Sequence, residues 1–180
     1  MDSSSPPDED EPREFSGPEN GATPSFISFK YPWSARLVRL VITESPPNCY
    51  VRFEFVGRPL RDSCMLPLGM STSDIKDYQL TASSQYQEDC HNPETHSCMT
   101  SYGPERARYN GTNDTRGFGG WKPHPTDRNA SITVDLRQKV EVTAMIVESF
   151  DLSYMEEFEL FYSQNAFNWS QYTVRLTYCS

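Results

Sequence analysis

The chain has 180 residues, enough for one domain of ordinary size with a substantial core and too few for two complete ones. Acids outnumber bases 25 to 16, for a net charge of −9, which disfavours the nucleic acids and anionic membranes that a basic surface attracts. An aromatic content of 13%, with many Val, Ile and Thr, suits strands, and 14 Pro and 9 Gly interrupt them often, so an all-β fold is expected.

In chain order, residues 1–13 are acidic, Pro/Ser-rich and almost free of apolar side chains, and are expected to be a disordered tail. Three strand-length runs follow: FISFKY, ARLVRLVIT and CYVRFEFV. In the third, Val51, Phe53 and Phe55 alternate with Arg52 and Glu54, the pattern of a half-buried strand. The three are expected to form an antiparallel meander or a sheet edge, too little to stand alone. The stretch 64–130 has little periodicity and many turn residues, with a short helical turn expected at PERARY, where Pro104 can open it. Strands resume with SITVDL (Ile132, Val134 and Leu136 inward), VEVTAMIVES, EEFELFYS (Phe158, Leu160 and Tyr162 inward) and NWSQYTVRL.

The acidic opening is the reverse of a secretory signal, and no run of about 18 apolar residues exists to span a bilayer. Taken literally, Met1 begins a cytosolic protein. Two features oppose this. Asn-x-Ser/Thr acceptors occur at Asn110, Asn113, Asn129 and Asn168, and such sites are glycosylated only on the secretory route. The five cysteines, Cys49, Cys64, Cys90, Cys98 and Cys179, fit an oxidising compartment better than a cytosolic enzyme. The expectation is an extracellular or cell-surface chain, part of a longer secreted parent.

From Cys64 onward the landmarks are, in order, Cys64, PLGM at 67–70, SDIKDYQ, LTASSQY at 80–86, Ala107-Arg108-Tyr109-Asn110, Gly119-Gly120-Trp121, the Val-Asp-Leu strand at 134–136, VEVTAMIV, and Tyr162-Ser163 to Asn168-Trp169. In this order they resemble those of the discoidin family, the C-type domain of coagulation factors V and VIII. Residues 35–57, with ARLVR and VRFEFVG, resemble the strands that end the family's domains. The order is therefore an ending before a beginning: a tail over 1–13, the C-terminal part of one domain over 14–57, a linker over 58–63, and a domain lacking its last strands over 64–180. The plainest reading is a fragment cut inside two tandem domains. The alternative is a circular permutation, in which 26–57 fill the gap left after Tyr172. Two departures stand out: Arg58 follows Gly57 where the family places a Cys, and Ser131-Ile132 replaces a Trp.

The resemblance implies a discoidin-like jelly roll, a β-sandwich or barrel that is incomplete or permuted, binding ligands through loops at one end. Here these are 87–102, 111–121 and about 149–156, and the contact residues are expected among His91, Met99, Tyr102, Phe118, Trp121 and Tyr154. Trp121 is also read as part of the frame, and Phe118, between glycines, as the better exposed contact. Cys90-His91 and His96-x-Cys98 have the composition of a zinc site. A Cys90–Cys98 disulfide stapling the first loop is expected instead, because adjacent Cys and His seldom reach one ion together. No metal or other cofactor is expected, with calcium at the loops left open.

Asp135, pointing away from Val134 and Leu136, is read as a solvated acid or as a partner of Arg36, Arg39 or Arg108. No nucleophile elbow, zinc helix or phosphate loop appears, and Glu156-Glu157 alternate across a strand rather than converge. The expected function is non-enzymatic capture of an extracellular protein or carbohydrate, with no nucleic-acid partner. Phosphatidylserine membrane binding is the runner-up, and a truncated product without independent function is a third class.

Overall fold

The computed structural model describes residues 14–18, 23–45, 49–59, 64–87, 101–111, 119–148 and 155–173; the acidic tail lies outside them. The fold is all-β and antiparallel. Its strands are β1 (Phe15–Ser16), β2 (Ser25–Glu44), β3 (Arg52–Pro59), β4 (Leu66–Pro67), β5 (Leu80–Ala82), β6 (Ser131–Glu148), β7 (Glu157–Ser163) and β8 (Ser170–Gln171). Among the described residues the helical elements are two single 3-10 turns, Asp77–Gln79 and Pro104–Arg106, the second opened by Pro104 as the sequence predicts.

The strand order is β1-β7-β2-β6-β3-β4, with β5 also on β6 and β8 on β7. β6 is the spine. β2 runs along one edge of it, pairing Ser25 with Val147 and Val41 with Ser131. Its other edge is shared: β5 pairs with its first half, Leu80 opposite Val134, and β3 with its second, Phe53 opposite Val147. The expected meander of β2 and β3 is therefore not formed, because β6 lies between them. Strands from 25–59 and strands from 131–163 belong to one sheet around one core.

Two further departures from the sequence reading have local causes. FISFKY and ARLVRLVIT join into the single strand β2, with a register shift between Ser28 and Trp33. Pro32 lies in that gap and has no N–H for the ladder. SITVDL and VEVTAMIVES likewise join into β6, across exposed residues 137–139 that begin with Arg137 at φ 63°.

The inward residues read from the alternation are in the core: Ile132, Val134, Leu136, Phe158 and Leu160 are buried, and Tyr162 packs against them half-buried. At β1 and the adjoining part of β2, Phe15, Phe29, Trp33, Tyr162 and Tyr172 stack at centroid separations of 5.1–5.9 Å. Such pairs contribute about 0.5–1.5 kcal/mol each beyond their burial.

β3 differs from its expected half-buried state, since both its faces are covered. Val51, Phe53 and Phe55 face the core, yet Arg52 and Glu54 are 6% and 0% exposed. Glu54 is enclosed by the turn after β4. Its carboxylate accepts from the backbone N–H of Gly69 (3.2 Å), Met70 (3.1 Å) and Ser71 (2.8 Å), and from the Ser71 hydroxyl (2.7 Å). A buried carboxylate is tolerable when its lone pairs are filled in this way. It also ties the opening segment to the first turns of 64–173.

Asp135 takes one of its three candidate partners. Arg36 grips it in a fork, Nε to Oδ1 at 3.2 Å and Nη2 to Oδ2 at 3.1 Å, while the Arg137 backbone N–H donates at 2.7 Å. Arg39 instead donates to Thr133 and lies over Trp169, and Arg108 donates to the Met70 carbonyl and to Asp77.

Candidate ligand-binding site

The described residues that flank the three loops implied as ligand contacts lie along one contiguous floor. The antiparallel bridge between Gln87 and Ser101 closes the base of the first. Gly119 and the Val51–Trp121 bridge lie at the exit of the second. Glu148 ends β6 where the third begins, and it accepts from the Asn110 N–H beside the second.

Along 49–53 and 120–122 the chain alternates. Val51, Phe53 and Trp121 point into the core, so Tyr50, Arg52, Gly120 and Lys122 share the opposite face. Gly120 is required there: its φ is +138°, and a Cβ would come within 3.2 Å of the Tyr50 side chain. Lys122 is only 7% exposed. Its ammonium lies 4.1 Å from the ring centroid of Tyr86, 5.3 Å from Tyr50 and 5.9 Å from Tyr102. Aromatic faces attract a cation through their quadrupoles and offset part of the loss of water. Backbone bonds fix the cage, from Lys122 N–H to the Tyr102 carbonyl and from Tyr86 N–H to the Lys122 carbonyl.

Arg52 is the second buried cation. Its Nε donates to the Gly119 carbonyl at 2.6 Å, and its Nη1 lies 3.7 Å from Glu148 Oε2. Burial lowers its pKa and Glu148 opposes the change, but a guanidinium keeps its proton at physiological pH. The floor thus brings two buried cations, Arg52 and Lys122, onto one face of a chain of net charge −9.

Of the residues expected to make contact, Tyr102 and Trp121 are in view, at 1% and 0% exposure. Tyr102 is a wall of the lysine cage. Trp121 is a frame residue whose Nε1 donates to the Ser84 carbonyl at 2.9 Å. His91, Met99, Phe118 and Tyr154 lie outside the described residues, as do Cys90, Cys98, Cys179 and the sequon at Asn113. Cys49 is buried and Cys64 exposed. The sequon asparagines Asn110, Asn129 and Asn168 are all exposed. Among the described residues no three His, Cys, Asp or Glu side chains converge as a metal set.

The sequence reading passed over Tyr50, Arg52, Tyr86 and Lys122. The available signal was the alternation that placed Val51 and Trp121 inward, since their neighbours must then share the other face.

The profile of the F5/8 type C domain matches residues 79–177. Mouse coagulation factor VIII is 31% identical over 148 residues, 80% of this chain and 6% of the mouse protein. Human EGF-like repeat and discoidin I-like domain-containing protein 3 is 29% identical over 163 residues, 88% of this chain and 32% of that protein. The venom prothrombin activator pseutarin-C non-catalytic subunit of Pseudonaja textilis is 28% identical over 165 residues, 88% of this chain and 10% of the subunit. The matched region spans less than a third of each of these relatives. No solved structure matches the chain.

Proposed function

Because the chain belongs to the F5/8 type C, or discoidin, family, we propose that it is a non-catalytic binding module of a secreted or cell-surface protein, capturing an acidic protein or carbohydrate at its loop end. The observation that carries this reading is the burial of Arg52 and Lys122 on one face, beside the residues from which the three loops depart. An anion arriving between the loops meets both charges where water screens them poorly. The acidic remainder of the chain confines attraction to that end. The loops supply selectivity, and the rigid sheet holds the floor still.

The working unit is 14–173, with the floor drawn from both 14–57 and the rest. Tyr50 and Arg52 come from the segment that ends with β3, whose strand runs through the expected linker residues Arg58 and Pro59, and Tyr86, Tyr102 and Lys122 come from after it. This favours strands that complete one barrel over two unrelated fragments.

A phosphatidylserine headgroup is the second reading, since its phosphate and carboxylate match the same two cations. Exposed Asn110, at the rim beside Glu148, speaks against it, because a glycan there would hold a bilayer away. Vesicle sedimentation at low and high salt, run beside binding to heparin fragments and acidic peptides, separates the two. Binding to a soluble polyanion with no salt-resistant vesicle pelleting is expected. Salt-resistant pelleting with phosphatidylserine vesicles would overturn the preference, and loss of every interaction would sink both.

A further inference from the structure

A second recess lies on the other side of the same two backbone segments. Where Tyr50 and Lys122 face the floor, their neighbours Cys49 and Pro123 line a cleft of about 280 Å³ between the end of β2 and residues 123–130. Its apolar wall comes from Ile42, Cys49, Ala130 and the rings of Pro123 and Pro125. Burial pushes the Cys49 thiol up to about 12, so it stays protonated and serves as a small apolar surface.

The polar side of the cleft holds Asp127, His124 and Arg128, and the acid there is already committed. Asp127 Oδ2 accepts from the hydroxyls of Ser83 and Ser84, both at 2.6 Å, and Oδ1 from the Asn129 N–H at 3.1 Å. His124 is engaged too, its Nδ1 lying 2.8 Å from the Thr126 hydroxyl. Arg128 is exposed, and among the described residues its side chain has no hydrogen bond and no ion pair. The result is a guanidinium at the mouth of an apolar recess sized for one side-chain-like group. That volume is below the usual range for drug-sized ligands, roughly 300–1,000 Å³.

We propose that this cleft is a second binding site, separate from the loop floor, for a monocarboxylate with a short branched or ring-shaped apolar body. The body fills the recess against Ile42 and the two prolines, and the carboxylate takes the bidentate fork of Arg128. A free organic acid and the end of a peptide chain carry the same chemistry, and the test has an arm for each.

The experiment is an amide NMR titration of the whole chain with 4-methylpentanoate, with its neutral amide, and with acetyl-Gly-Leu bearing either a free or an amidated end. Saturable shifts are expected at Ile42, Thr43, Cys49, Arg128 and Ala130, with Kd on the order of a millimolar for the free acids. The amides should bind at least about tenfold more weakly. Arg128→Gln should bring the acids to the level of the amides. Thr43→Glu, which adds a competing carboxylate at the exposed rim, should do the same. Both positions are exposed, so neither variant threatens the fold. Response to 4-methylpentanoate alone assigns the site to a free acid, and response to the dipeptide acid alone assigns it to a chain terminus. Equal binding of acids and amides, retention of acid binding in Arg128→Gln, or no saturable shift with either acid would overturn the proposal.

Discussion

The Arg36–Asp135 pair and the Arg52–Lys122 floor hold charge in opposite ways. In the first, one fork meets one carboxylate near solvent, with the Arg36 side chain 42% exposed, so Coulomb attraction is screened and contributes little. In the second, two cations are buried on one face, Arg52 with the Glu148 carboxylate 3.7 Å away and Lys122 among three tyrosine rings. Burying charge costs several kcal/mol per ion before compensation, and an apolar surface would close that end of the barrel equally well. Two cations kept under cover at that cost are what the proposed binding role sets out to explain.

Three substitutions break or sharpen this contrast. The largest effect is expected at Glu54, the buried charge whose hydrogen bonds are satisfied within the frame. Glu54→Ala leaves the backbone donors of Gly69, Met70 and Ser71 without their acceptor and should cost about 3 kcal/mol of unfolding free energy, read from urea denaturation. Because Glu54 lies on β3 and its donors follow β4, a normal midpoint in this variant would also show that the two segments do not work as one unit.

Lys122→Met should separate stability from binding. Replacing a buried cation with an apolar side chain of similar length should change stability by no more than about 1 kcal/mol. Affinity for an acidic ligand should fall at least about tenfold, near 1.4 kcal/mol, as measured on heparin fragments. A variant that unfolds but binds normally when folded would make Lys122 structural and leave the floor without its function.

The smallest effect belongs to Asp135. Burial tends to raise its pKa, but the hydrogen bonds from Arg36 and the Arg137 N–H outweigh that and hold it below the ordinary carboxylate value. A depressed acid stabilises the fold above its unfolded pKa, about 3.9, and loses that contribution as pH falls through the folded value. Asp135→Asn should therefore be slightly less stable than the parent at neutral pH and converge with it in acid. A thermal-melt series across pH checks this, and a constant gap at every pH would remove the ion pair from the account.

Much of the frame was legible because it rests on local pattern. The alternation in 132–136 and 158–160 named core residues correctly, and Pro104 marked its turn. Partner choice for Asp135 could be narrowed to three arginines and no further, since strand register decides which one arrives opposite. The lysine cage was not legible at all. Tyr50, Tyr86, Tyr102 and Lys122 are scattered over more than 70 positions, and no local rule relates them.

What the sequence determined by itself was the all-β class, the family resemblance, the inward faces of most strands and the acidic character that sets the floor apart. Those follow from composition and from a side-chain period of two, which needs no knowledge of neighbours. What the tertiary structure decided was where the opening strands go. β6 lies between β2 and β3 rather than beside a meander of them, because its two edges had to be paired and the opening segment supplied strands for both. That placement also buries the outer face of β3, turning Arg52 from an expected surface residue into one of the two buried cations of the floor.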